Sequence, residues 1–135
     1  MRSSTVPERS DERSFPADAA ALRDIRSFIR EAAAQDHIPN PLADDIVLAV
    51  SEASTNAIVH TDTGEVRVRW HRRDDQVLVW VCDQGVFLEA AEAPELDGLG
   101  GRGIPLMQAL MDDVRLRPGT QRSPGTVVRM AKRMG

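Results

Sequence analysis

A chain of 135 residues with 41% apolar content is the size of one domain and can bury a real core. Its net charge of -4 argues against a protein that coats nucleic acid or an anionic membrane. No apolar run approaches the roughly 20 residues that span a bilayer, and the polar start MRSSTVPERSDERS has no apolar signal core, so a cytoplasmic location without nucleic-acid or membrane partners is expected.

Residues 1–13 are rich in Ser, Arg, Glu and Asp and read as a disordered tail, with the domain at 14–135. From Pro16 to Gln35, Leu22, Ile25, Phe28, Ile29 and Ala32 recur at three- and four-residue spacing, which predicts an amphipathic helix. Asn40-Pro41 is a helix start, and a second helix should run from Pro41 to His60. Val66, Val68 and Trp70 alternate with Arg67, Arg69 and His71 as in a half-buried strand, and Arg72 to Asp75 should turn it into a hairpin. Val77 to Cys82 is nearly continuously apolar and predicts a central strand buried on both faces. Cys82, the one cysteine, can form no internal disulfide, lacks zinc-site spacing and is expected to be a buried thiol. Residues 86–99 read as a long loop, followed by a helix at Ile104–Met111 and strands at Val114–Arg117 and Thr126–Met130. Strands joined through short turns favour an α+β fold, a two-layer sandwich of helices on a largely antiparallel sheet.

Three segments carry chemistry. On the second helix, Ile46, Val50, Ala53 and Ala57 form a packing stripe, and the neighbouring stripe of Asp45, Ala49, Glu52, Asn56 and His60 holds polar groups. Glu52 and Asn56 are four apart and share a face, which suits a carboxylate base beside an amide oxygen at a bound ion; a solvated helix face is the alternative. Asp83-Gln84-Gly85 ends the apolar strand, where a carboxylate can accept a hydrogen bond from a ligand amine and a glycine lets a flat ring approach; an ordinary turn has the same residues. Gly98-Leu99-Gly100-Gly101-Arg102-Gly103 runs into a helix N-terminus, a favourable setting for phosphate, with Arg102 adding a charge. The string also satisfies the dinucleotide pattern Gly-x-Gly-x-x-Gly, but an acidic loop rather than a strand precedes it. No Walker A loop occurs.

Taken together, Glu-x-x-x-Asn on a helix, Asp-x-Gly after a strand, Gly-x-Gly before a helix and Gly-Thr entering the last strand resemble the Bergerat-type ATP-binding fold of gyrase, heat-shock-90 chaperones, histidine kinases and mismatch-repair ATPases. The strings at 48–60, 100–107 and 124–128 resemble the bacterial anti-sigma-factor serine kinases, over residues 14–133. This resemblance implies ATP and magnesium (Mg2+) as cofactors. Glu52 would act as general base, Asn56 as the magnesium ligand, Asp83 as the adenine anchor with Thr126 nearby, and Gly85 as space for the base. Gly101, Arg102 and Gly103 would lie on the phosphates, with 86–99 as a lid. It also implies phosphorylation of a serine on an anti-sigma factor antagonist, binding of a sigma factor, and a homodimer. Phe87 stands where the family commonly has the second glycine of Asp-x-Gly-x-Gly, which favours an alternative: a non-catalytic ATP-binding regulatory protein that sequesters a partner.

Overall fold

The computed structural model describes residues 8–60, 64–83, 103–117 and 125–134. In chain order its elements are β1 (Arg9–Pro16), α1 (Ala21–Gln35), α2 (Asn40–His60), β2 (Glu65–Arg73), β3 (Gln76–Asp83), α3 (Gly103–Leu110), β4 (Asp113–Arg117) and β5 (Val127–Arg133). The strands form one sheet in the order β1-β2-β3-β5-β4, and each neighbouring pair is antiparallel.

The alternation read from the sequence decides which face the helices cover. Val66, Val68 and Trp70 of β2, Val77, Val79 and Val81 of β3, and Val128 and Met130 of β5 are buried. They form one core with Ile25, Phe28 and Ile29 of α1, Ile46, Val50 and Ala53 of α2, and Met107 of α3. The result is the expected α+β two-layer sandwich, with the three described helices on one side.

Three expectations need correction. Residues 9–13, read as part of a disordered tail, form most of β1, which pairs with β2 from Arg9 opposite Arg72 to Pro16 opposite Glu65. An edge strand needs few apolar residues, and only Phe15 of β1 is buried, so its polarity signals exposure and not disorder. Arg9 adds an anchor: its Nε donates to Asp36 Oδ1 at 3.0 Å, while Trp70 Nε1 donates to Asp36 Oδ2 at 2.7 Å. This carboxylate therefore joins β1, the end of α1 and β2.

The first helix starts at Ala21, because Pro16 still belongs to β1, and the Asp18 carboxylate accepts the Ala21 N–H at 3.1 Å. It ends in a Schellman motif. His37 takes the left-handed φ of 58°, its N–H donates to Ala34 O, and the Ile38 N–H reaches back to Ala33 O while the Ile38 side chain is buried.

The third correction concerns β3, which is central but not equally buried on both faces. Val77, Val79, Val81 and Asp83 point to the helices, whereas Trp80 and Cys82 on the other face are only half-buried, because no helix of the described residues covers that side. Cys82 is thus not the deeply buried thiol expected.

Candidate active site

Topology places the described residues of the predicted site toward one end of the sheet. Beyond its last residue, His60, the chain enters β2 at Glu65, and the first residues of β2 pair with the last of β3, Val66 lying opposite Asp83. The C-terminal half of α2 therefore sits over the same end as Asp83. At the opposite end, Lys132 of β5 forms an ion pair with Asp45, near the start of α2, at 3.2 Å, and its ammonium also donates to the carbonyl of Leu110, the last residue of α3. The C-terminus of α3 is held at that end, and its eight residues rise about 12 Å from there at 1.5 Å per residue. Lys132 suits its place, a cation on helix C-terminal carbonyls.

Asp83 and Thr126 form the best-defined part of the site. Asp83 is buried on the helix side of β3, its N–H donates to Thr126 O at 3.0 Å, and its Oδ1 accepts the Thr126 N–H at 3.3 Å. Gly125, with φ 110°, makes the bend that delivers Thr126 to this position; a residue with a Cβ is strained there. Thr126 Oγ1 is fully buried without a hydrogen-bond partner among the described residues. A buried orphan hydroxyl costs about 1–3 kcal/mol, so its place beside a carboxylate suits a ligand that supplies the missing partner.

Glu52 and Asn56 occupy the half-buried border of α2 and make no side-chain hydrogen bond or ion pair with another described residue. They lie one turn apart, flanked by the buried Ala49, Ala53 and Ala57. Gly103 is the first residue of α3, one position before the start expected at Ile104. Gly85, Gly101, Arg102, Phe87 and the 86–99 loop lie outside the described residues. The residues that are described fit an adenine nucleotide in their donor set: a buried carboxylate to accept from a ring amine, an unpartnered hydroxyl beside it, and an amide oxygen and a carboxylate on the adjoining helix.

The sequence of residues 15–132 matches the histidine kinase-like ATPase domain family, nearly the whole chain. The chain belongs to that family. Among relatives of this ATPase domain, it is 38% identical over 105 residues to the serine-protein kinase RsbW of Bacillus licheniformis, covering 66% of this chain and 63% of that protein. It is 31% identical over 137 residues to the RsbW of Bacillus velezensis, 90% of this chain and 83% of that one. It is 35% identical over 89 residues to the RsbW of Listeria innocua, 54% of this chain and 57% of that one. The ATPase domain thus spans less than two thirds of the Listeria innocua and Bacillus licheniformis proteins. In three dimensions it resembles the crystal structure of the RsbU and RsbW domains of Rv1364c from Mycobacterium tuberculosis, with a TM-score of 0.73 at 23% identity, over 93% of this chain and 32% of that one. That likeness is one of fold. No helix among the described residues of the ATPase domain is long and apolar enough to cross a membrane.

Proposed function

We propose that this chain is an ATP- and magnesium-dependent serine-protein kinase that acts as an anti-sigma factor in the cytoplasm, binding a sigma factor and phosphorylating an anti-sigma factor antagonist, as a homodimer. The observation that carries the nucleotide reading is the buried Asp83–Thr126 pair with its orphan hydroxyl. Names of the relatives support the kinase reading.

In this reading Asp83 accepts a hydrogen bond from the adenine amine and Thr126 Oγ1 contributes to the same contact, while Gly85 leaves space for the ring. Asn56 offers its amide oxygen to magnesium, a hard cation that prefers oxygen ligands. Gly101, Arg102 and Gly103 hold the phosphates with backbone N–H groups and a guanidinium at the start of α3. Glu52 takes the proton of the substrate serine hydroxyl as that oxygen attacks. When bound, ATP supplies the phosphoryl group to be transferred.

The test is to incubate the protein with radiolabelled ATP, magnesium and each candidate antagonist from the same genome, alongside Glu52→Ala and Asp83→Asn. We expect Glu52→Ala to abolish transfer with ATP binding retained, and Asp83→Asn to weaken binding at least tenfold, about 1.4 kcal/mol. Loss of binding and transfer together in Glu52→Ala makes Glu52 a structural residue. A dissociation constant no better than about 1 mM, unchanged by Asp83→Asn, removes the nucleotide reading. Retained ATP binding without transfer to any antagonist selects the sequestering module, the reading that Phe87 favours.

A further inference from the structure

The face of the sheet turned away from the helices is built of arginines. Directly opposed residues across β2, β3, β5 and β4 form one row of Arg69, Trp80, Arg129 and Arg115, and the next row is Arg67, Cys82, Val127 and Arg117. These residues line a shallow cleft of about 580 Å³, with Glu12 of β1 the one carboxylate at its wall among the described residues. Glu12 is paired with Arg67 at 3.3 Å and Asp113 with Arg115 at 2.9 Å, and the Arg69 guanidinium lies 5.1 Å over the Trp80 ring. Arg117 and Arg129 have no carboxylate partner among the described residues.

This concentration of cations runs against the chain as a whole, whose net charge is -4. It also runs against the sheet, because Arg115 and Arg129 stand directly opposite one another, and like charges so placed destabilise an antiparallel pair. An anionic occupant removes both costs. A second copy of the same face does not, since it brings five arginines against five. A single small anion fits poorly as well: the arginines of β2 and those of β4 are separated by three strand spacings, about 14 Å at the base, so they do not converge on one phosphate. An α-helix with side chains, about 10–12 Å across, fits between those two lines. Its carboxylates reach Arg67 and Arg69 on one side and Arg115 and Arg117 on the other, and its apolar ridge meets Trp80 and Val127.

We infer that the open face of the sheet is a docking surface for an acidic amphipathic helix of a partner protein. It is on the opposite side of the sheet from Asp83 and the helices, and it does not depend on nucleotide binding or phosphoryl transfer. Charge sets recognition there, so the complex weakens with salt.

The probe is a synthetic helical peptide with a leucine stripe flanked by glutamates, together with versions carrying glutamine or lysine at the glutamate positions. Binding is followed by Trp80 emission and by anisotropy of the labelled peptide. The glutamate peptide is expected to bind at least tenfold more tightly than the glutamine peptide, and to lose at least tenfold in affinity to the exposed edge-strand double variant Arg115→Glu/Arg117→Glu. That variant should in turn prefer the lysine peptide, a gain of function that a misfolded protein cannot show. Equal binding of the glutamate and glutamine peptides overturns the inference. So does full competition by inorganic tripolyphosphate at stoichiometric concentration, which marks a small-anion site, or a shift of the double variant from dimer to monomer in sedimentation, which marks a self-association face.

Discussion

Thr126 is the residue at which stability and function are expected to separate. Its hydroxyl is buried without a partner among the described residues, so in the free protein it is a cost, and in the nucleotide complex proposed above it would be a contact. Thr126→Val keeps the shape and removes the hydroxyl. The midpoint of thermal unfolding should stay the same or rise, while the ATP dissociation constant measured by calorimetry should rise about fivefold, near 1 kcal/mol. A fall in the unfolding midpoint means that the hydroxyl is satisfied from within the protein and does not await a ligand. Cys82 gives a second residue-scale test, of acidity. Burial pushes its thiol up, helped by Glu12 and Asp83 and opposed by Arg67 and Arg69. The thiol form then prevails at neutral pH, and alkylation by iodoacetamide should be slower than for an exposed cysteine peptide and climb only at higher pH than that peptide's does. Fast labelling at neutral pH contradicts this effect of burial. Of these residues, Thr126 is singled out only through the family resemblance that the Pro-Gly-Thr-Val-Val string carries, while the residues themselves mark no more than a turn around Gly125. The setting of Cys82 is not legible in the sequence: a run of apolar residues marks a strand, but it does not tell how many of its faces a helix will cover.

Helix ends are where the elements depart most from an ideal sequence. α1 closes with His37 in the left-handed region at the position where glycine is most common. His37→Gly should stabilise the protein by about 0.5–1 kcal/mol, read as a shift of the urea midpoint without change of slope, since the strain of a Cβ at φ 58° exceeds the entropy that glycine adds to the unfolded chain. A loss of stability indicates that the exposed imidazole has a role in the cap. The three- and four-residue spacing of helices and the two-residue period of strands located both long helices and the four strands from β2 onward, with ends displaced by up to five residues. These periods report which face is apolar, whereas the end of an element depends on hydrogen bonds such as Asp18 to Ala21 that periodicity does not contain. The arginine rows show the same limit from the other side. Arg67 and Arg69, and Arg115 and Arg117, are each two apart and visibly on the solvent face, but only the strand order sets them around one cleft.

At the scale of the whole molecule, the edge strand β1 decides where the fold can be cut. The family match begins at Phe15, so six residues of β1, Arg9–Ser14, fall before it. Removing residues 1–14 takes away the Arg9 bond to Asp36, leaving a carboxylate with 7% exposed side chain short of its cationic partner, and strips the pairing partner from most of β2. The shortened protein should be less stable by at least about 2 kcal/mol in urea unfolding, and an unchanged midpoint sinks this account of β1. β1 lacks apolar content because it acts as a guard. It turns a polar outer rim to water, while β2, once stripped, offers a row of unpaired N–H and C=O groups flanked by valines and a tryptophan. A protein trimmed to the limits of sequence similarity should therefore gather into strand-paired oligomers and, as it loses solubility, bind amyloid-sensitive dyes that the intact chain ignores.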